Sequence, residues 1–440
     1  MDCDVVIVGA GAAGVLAARD LARADRRIVV LEASDRIGGR VRSVADPRAL
    51  GSIELGPEFV HGRPAITYGL LREFGQTTID DADAGFVVRN GSLHAVEDDP
   101  FARAGALIAR ALDRDEDETV AASLARHATD ATSRDAAEVA RRMISGFDAA
   151  DPARASARAI ALEWASDASA EGAQSRPLGG YAPLVAHLAR GLDSARVRVR
   201  FETIATNVAY DSSGVTVAAT RGTTPVSIRA RHAIVTVPVG VLRANVGERG
   251  AIAFDPPLPA QTRDAIHHIA MGPVVKVVLR FATPFWESLA GGAWRDGAFF
   301  SCDEAFPTFW TQLPLRATTL TAWAGGPYAD RLAALDERAA IALALDGAGR
   351  TFGDPASARS AFEAGYVHDW QRDPFSRGAY SYVLAGGERA RATLGRSIAD
   401  RLWIAGEATA TDGEGGTVAG ALESGRRAAR EICARGAASD

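Results

Sequence analysis

An α/β fold built around a Rossmann-like dinucleotide unit is the class this sequence predicts, and three stretches carry the prediction. Residues 3–8, "CDVVIV", form an apolar run that passes directly into "GAGAAG", with Gly9, Gly11 and Gly14, and then into the helical "AAGVLAARDLARA". From residue 197 the chain alternates apolar and polar positions in "VRVRFETIATNVAYDSSGVTVAAT" and "VSIRARHAIVTVP", the period-two pattern of strands. From residue 399, "ADRLWIAGEATATDGEGGTVAGALESGRRAAREIC" repeats the order strand, glycine-rich turn, helix. At 440 residues the chain exceeds what one small core holds, so two domains or one large α/β unit are expected.

Taken in order, the first strand, turn and helix lead to a second strand, "RRIVVLEAS", which ends at Glu32, 18 residues after Gly14. Strand, GxGxxG, helix, strand and acid in this succession form the dinucleotide fingerprint. Gly9 permits the tight turn, Gly11 lets backbone approach a pyrophosphate, and Gly14 lets the helix pack close. Unpaired N–H groups and the positive dipole end at the helix start favour phosphate, and Glu32 can accept from ribose hydroxyls. In "ASDRIGGRVRS", Arg36 and Arg40 flank Gly38 and Gly39, so two guanidinium groups can reach a pyrophosphate.

Residues 100 to 175 are rich in Ala and Arg and read as helical, with Asp151–Pro152 as an expected N-cap and first helical residue. The acidic run "DRDEDE" at 113–118 reads as a solvated helix start. After the alternating strands, "IAFDPPLP" is a proline-rich link, and "MGPVVKVVLRF" is a further strand at 271–281. The last helix is expected to begin near Thr417.

Composition narrows the function classes. Of 49 lysine and arginine positions, 48 are arginine, and Lys276 is the one lysine. Where a chain favours arginine so strongly, lysine persists where a compact ammonium with rotatable donors does what a planar guanidinium cannot. Flanked by β-branched apolar neighbours, Lys276 lies either at a solvent-facing edge or buried toward a polar cavity. A net charge of −6 with interspersed signs argues against a nucleic-acid partner. Cys3, Cys302 and Cys433 have no CxxC spacing and suggest neither a disulfide framework nor a metal site. No secretory leader, membrane span or tail anchor is legible, which gives the expectation of a reduced, cytoplasmic protein.

The collinear segments "VVIVGAGAAG", "LEASDRIGGRV", "ELGPEFVHG", "LGGYAPLVAHLA", "VTVPVGVLRA", "FDPPLP", "MGPVVKVVLRF", "DPFSRGAYSY" and "WIAGEAT…GTVAGALESGRRAA" together resemble the FAD-dependent amine oxidases. That family includes monoamine, polyamine and spermine oxidases and lysine-specific histone demethylases. The resemblance implies a Rossmann-like FAD-binding domain assembled from separated segments, with an inserted α+β substrate domain. The expected boundaries are 1–79, 185–248 and 392–440 for the FAD domain. The helical segment 80–184 and the mixed-sheet segment 249–391 are expected to form the substrate domain.

It further implies that Lys276 holds a water beside flavin N5, and that Trp370 lies beside the ring. Glu407 would serve the ribityl or phosphate region, with Gly406 next to it. The helix start at Thr417–Val418 would face flavin O2 and N1, and the backbone of Ile204 would contact adenine. Gly56, Pro57 and Glu58 would complete the cofactor contacts. Monoamine oxidases carry a cysteine thioether to FAD directly before their cage tyrosine. Here that position is Ala379 before Tyr380, so FAD is expected to be non-covalent. The second cage position is Thr417. His61 or Glu58 in "GPEFVHG" could orient an amine. "LGPEF" lacks the arginine with which amino-acid oxidases grip a carboxylate. Trp310, Phe309, Trp323 and Trp294 are candidates to line the pocket.

The expected reaction is net hydride transfer from the α-carbon of a primary amine or polyamine, with O2 as acceptor and aldehyde and H2O2 as products. An L-amino-acid oxidase, a flavin-dependent desaturase of a lipophilic substrate, and a flavin-bound interaction protein without turnover are the alternatives. Monomer and homodimer both remain open.

Overall fold

The strand Cys3–Val8 is buried along nearly its whole length, so both of its faces meet apolar layers, as in a parallel sheet covered on two sides. In the computed structural model, which describes residues 1–96, 100–165, 174–192 and 195–436, this strand is central to an eight-stranded sheet. Val6 pairs in parallel with Val29 of Ile28–Leu31 on one side and with Ala233 of Thr224–Val235 on the other. Val197–Arg200 extends the sheet beyond Ile28–Leu31. Thr224–Val235 changes partners along its length. Its first half pairs antiparallel with Gly214–Arg221, while its last residues run parallel to Cys3–Val8 and Leu402–Ile404. Thr203–Asp211 continues the antiparallel meander. Ala253–Asp255, inside the segment expected to belong to the second unit, adds in parallel to Thr203–Asp211 at the sheet's far edge.

The helix Ala12–Arg23 follows the first strand because Gly9 takes φ +105 and turns the chain sharply. A Cβ on Gly14 would collide with the carbonyl oxygen of Gly9, so the helix can start this close to the strand end only with glycine there. Val15, Leu16, Ala18 and Leu21 bury one face with Leu422, Ala428 and Ile432 of the last helix, Val418–Gly436. Val208, Val217, Ile228 and Ile404 form the layer on the opposite side of the sheet.

A second, seven-stranded sheet runs in the order Phe362–Val367, Val274–Phe281, Thr319–Gly325, Thr308–Trp310, Phe299–Ser301, Gly85–Arg89, Ser92–Ala95. Alternation along Val274–Phe281 sends Val277, Leu279 and Phe281 into a core with Trp286, Phe300 and Ala344. The other face presents Lys276, Val278 and Arg280, and Val278 packs on Ile53 and Leu55. Helices within 100–164 form a further apolar cluster around Ile144 and Ile160.

Two local expectations are corrected. Asp151–Pro152 does not start a helix: the Asp151 side chain accepts from Ala153 N at 2.9 Å within a turn. The helix Ala157–Trp164 is capped by Ser156, whose Oγ accepts from Ala159 N. An Asp whose side chain takes an N–H two residues on serves a turn as well as a helix. The acidic run likewise precedes the next helix, Val120–His127, which Thr119 caps. Within the run, Asp117 accepts from Gly386 N at 2.7 Å and Glu118 pairs with Arg126. Among the described residues, no helix is long and apolar enough to cross a membrane, and no group of three or more His, Cys, Asp and Glu could hold a metal ion. All three cysteines are unpaired.

Candidate active site

The carboxyl ends of the parallel strands open into a cavity of about 1830 Å³ that continues to the second sheet and the helical segment. This is the place where open α/β sheets hold ligands. The volume is well beyond the roughly 300–1,000 Å³ of a pocket for one small ligand, and it suits an extended dinucleotide with a substrate beyond it.

At the nucleotide end, Gly9, Gly11, Ala12, Glu32, Arg36, Gly39, Arg40 and Ile204 all line the cavity. Glu32 is buried and held in place by Ala10 N at 2.7 Å and Ser34 N at 2.8 Å. Arg36 folds back on its own loop, donating to the carbonyls of Ile37, Gly39 and Val41, so much of its guanidinium shapes the loop. Arg40 donates to Glu407 at 2.8 Å and to the carbonyl of Ala379 at 2.9 Å, which joins the first and last segments of the chain. Glu407 also accepts from Ser381 Oγ at 2.6 Å and Gly416 N at 3.1 Å. Burial would raise its carboxyl, but Arg40, Arg391 and these hydrogen bonds bring it below the usual range, so it is an anion.

Lys276 is buried, 2 % exposed, on an inner strand rather than at an edge. Its ammonium donates to Glu58 Oε2 at 2.8 Å and to the carbonyl of Gly56 at 3.2 Å, and it lies 5.6 Å from the Trp310 ring centroid. Glu58 is the hub of this wall. It accepts from Lys276, from Arg176 Nε at 2.9 Å, from Trp310 Nε1 at 3.1 Å and from Gln312 Nε2 at 2.9 Å. Burial alone would raise its carboxyl; Lys276 and Arg176 outweigh that and hold it down at about 2. With its lone pairs taken by protein donors, Glu58 is not available to orient an amine, contrary to one expectation from the sequence.

Arg176 continues the network to Asp81 and stacks over the Phe59 ring at 4.3 Å. Asp81 accepts from Gln174 Nε2 at 2.8 Å. Burial pushes its carboxyl up to about 6 despite Arg176. Gln174 is the cross-strand neighbour of His61, which brings the imidazole up to the polar network that begins at Lys276. Burial lowers the His61 imidazole to about 4, with the neighbouring Gln174 side chain only partly offsetting it, so the ring is neutral at physiological pH. Its ring meets Phe147 edge-on at 5.1 Å.

Tyr380 lines the cavity and donates through its hydroxyl to the carbonyl of Phe147 at 2.6 Å. Thr417 lines it as well, but its Oγ1 accepts from Gly420 N at 3.0 Å and donates to Glu414, so the hydroxyl caps the last helix and is not free to face a substrate. The cap leaves the helix start at Val418 directed into the cavity. Trp370 is buried and anchored by its Nε1 donating to the carbonyl of Leu55 at 2.9 Å. Gly56, Pro57 and Gly406 line the same wall.

Of the four aromatic candidates, Trp310 and Trp323 line the cavity, their rings 5.5 Å apart. Phe309 points into the core of the second sheet and Trp294 packs edge-on against Phe86, so neither is a wall residue. Sequence reasoning missed Arg176, Asp81, Gln174 and Gln312. A lone arginine among 48 carries no signal, and only the pairing of the strands Gln174–Pro177, Thr78–Asp80 and Val60–His61 brings these side chains together.

A nucleotide cradle opening onto an aromatic chamber with one buried ammonium defines a cofactor-dependent oxidoreductase. A family model described as flavin containing amine oxidoreductase matches residues 12–433, and the chain belongs to that family. Polyamine oxidase 4 of Oryza sativa subsp. japonica is 28 % identical, over 97 % of this chain and 88 % of that protein. Putrescine oxidase of Kocuria rosea is 26 % identical, over 98 % of this chain and 95 % of its own. A solved structure of wild-type putrescine oxidase bound to putrescine superposes with a TM-score of 0.81 at 25 % identity, covering 99 % of this chain and 100 % of that one. The protein is thus a flavin-dependent oxidoreductase acting on amines, with the two-domain fold of that family.

Proposed function

We propose that the chain is an oxidase of primary amines or polyamines that binds FAD without a covalent bond and passes electrons to O2. The observation that supports it most is the continuity of one cavity from the Gly9–Ala13 turn to Lys276, His61 and Tyr380. The residues fit the cofactor: unpaired helix N–H groups and Gly11 for the pyrophosphate, Glu32 for a ribose, and the Val418 helix start for the electron-rich edge of the ring. FAD, when bound, supplies the two-electron redox chemistry. Ala379 has no nucleophile with which to form a thioether, which supports non-covalent binding.

The chain's own contribution is placement, desolvation and charge. Phe59, Trp310, Trp323 and Tyr380 make an apolar chamber that favours the neutral amine, the form with a lone pair to release. Tyr380 and the Thr417–Val418 end bracket the reacting carbon. The neutral His61 imidazole accepts or donates one hydrogen bond without adding charge. Lys276 keeps a fixed positive charge beside the site where O2 is reduced, and the Gly56 carbonyl and Glu58 hold that charge in one position. The iminium product hydrolyses to an aldehyde with release of ammonia or an amine, and H2O2 leaves.

Anaerobic mixing of the purified, yellow holoenzyme with short aliphatic, aromatic and polyamine substrates tests the reading. Bleaching of the flavin by at least one amine, followed by H2O2 release on admitting air, is expected. Bleaching by L-amino acids but by no amine would instead support the amino-acid oxidase alternative. Acid precipitation should release FAD into the supernatant.

A further inference from the structure

Four charged groups lie in file along the wall that holds Lys276, and their signs alternate. The Lys276 ammonium meets Glu58 Oε2 at 2.8 Å, Arg176 Nε meets Glu58 Oε1 at 2.9 Å, and Arg176 Nη1 pairs with Asp81. Arg176 is fixed on this line by the carbonyls of Thr311 and Leu313, to which it donates at 3.1 and 3.2 Å, and by the Phe59 ring. Glu58 by itself would cancel the charge of Lys276. Arg176 answers Glu58 and restores that charge, and an ionised Asp81 answers Arg176 in turn. Two cations then face two anions, and the file is neutral. A proton on Asp81 leaves one positive charge in excess.

Asp81 is the member of the file that changes state near neutral pH. Glu58, held at about 2, stays ionised. The Asp81 side chain is 4 % exposed, and burial pushes its carboxyl up to about 6 against the pull of Arg176 and Gln174. It lines the cavity that also reaches Lys276, which gives the carboxyl a route for proton exchange. Arg176 and Gln174 face it from the strand Gln174–Pro177, with Glu58 beyond them. His61, the cross-strand neighbour of Gln174, is neutral above about 4. Of its neighbours in the chain, Asp80 pairs with Arg63 at the surface and Asp83 lines the cavity. On the Lys276 side, Glu54 is buried, with its carboxyl raised by burial, and accepts from Ser43 and Ser52.

We propose that Asp81 governs, through Arg176 and Glu58, the positive charge that Lys276 presents to O2, and so makes the oxidative half-reaction faster in acid. The inference rests on the oxidase reading and adds a residue to it. In that half-reaction two electrons and the N5 proton of the anionic reduced flavin, with one further proton from water, convert O2 to H2O2 and leave oxidised FAD. The first electron to reach O2 creates an anion, which an excess positive charge in a buried, weakly screened wall stabilises. Asp81 acts on the charge of the wall and is not the donor of the further proton.

The test starts from dithionite-reduced holoenzyme and so needs no amine. Reoxidation by O2 is followed by stopped flow from about pH 5 to about pH 8 in wild type and Asp81→Asn, each checked for its FAD content. The wild-type second-order rate constant should fall about threefold or more across that range as Asp81 ionises. Asp81→Asn should keep the acid-side value throughout. Its flavin midpoint potential should lie above that of wild type at about pH 8 and match it at about pH 5. Infrared titration of the oxidised holoenzyme, a readout independent of turnover, should show a protonated-carboxyl band with a midpoint of about 6 that Asp81→Asn lacks. Where Asp81→Asn fails to accumulate as holoenzyme, Gln174→Leu decides instead. Loss of the amide donor moves the Asp81 midpoint to higher pH and that of His61 to lower. A flat wild-type profile, a profile that survives in Asp81→Asn because Glu54 is the group titrating, or a downward midpoint in Gln174→Leu would overturn the proposal. If the reduced wild type gives no H2O2 with O2, the oxidase reading fails. The infrared band and the midpoint potentials then still decide whether Asp81 titrates and sets the charge beside the flavin.

Discussion

Lys276 illustrates how a single side chain acquires its chemistry from its neighbours. Its ammonium has three donors, of which Glu58 and the Gly56 carbonyl take two, so its rotamer is set while the residue still lines the cavity. Lys276→Met is expected to retain FAD and to slow reoxidation of the reduced enzyme by O2 about tenfold or more, because the fixed charge is gone. An unchanged second-order rate constant in oxygen-jump experiments would remove Lys276 from that role. Glu58→Gln leaves two buried cations, Lys276 and Arg176, facing a neutral amide. A loss of roughly 3–5 kcal/mol in denaturant unfolding is expected for breaking such a buried pair. The singular lysine was legible in the sequence, and so was the suspicion attached to it. Arg176, which shares Glu58 with it, was not, because nothing in "QSRPLGG" marks one arginine out from the rest.

At the scale of elements, glycine turns and helix starts do most of the positioning. The first fingerprint was readable because local sterics dictate it: φ +105 at Gly9 and the contact of Gly14 with the Gly9 carbonyl exclude side chains wherever the rest of the chain lies. Gly14→Ala should therefore yield protein that folds poorly or emerges without flavin, checked by the absorbance of the purified protein. The last helix was also placed correctly from its glycine-rich approach, yet the role of Thr417 changes with the structure. Its hydroxyl is the cap, so Thr417→Ala is expected to cost about 1 kcal/mol in stability. It should also weaken FAD retention, with amine preference altered less than flavin affinity; fluorescence titration of the apoprotein with FAD would check this. The Asp151–Pro152 pair shows the limit of local reading. The same side-chain contact starts turns and helices, and here the strand Tyr380–Val383 intervenes, Ser156 N donating to the Val383 carbonyl.

Across the whole molecule, the site exists because two sheets meet around one cavity, and its charges are balanced over segments far apart in sequence. Asp81 and His61, linked through Gln174, carry opposite pH signatures. The folded-state value of His61, about 4, lies below the unfolded 6.5, so its contribution to stability falls as pH drops through that interval. Asp81, raised to about 6 from 3.8, holds its proton more tightly when folded, so its contribution rises as pH drops across nearly the same range. The two largely cancel. Asp81→Asn should expose the His61 effect: its unfolding free energy should decline by roughly 1–3 kcal/mol more than that of wild type between pH 6.5 and 4. A variant curve parallel to that of wild type would show that the two sites are not the opposing pair described.

What the sequence determined by itself was everything governed by short-range rules: the fingerprint, the strand periodicities, the capped final helix and, through collinear motifs, the family. Only the tertiary structure decided that Lys276 faces inward, that Glu58 is fully engaged by donors from three other segments, and that Thr417 caps the last helix. Charge satisfaction is a property of neighbours in space. Those neighbours are separated by up to 367 positions along the chain, as for Arg40 and Glu407, and no local pattern encodes them.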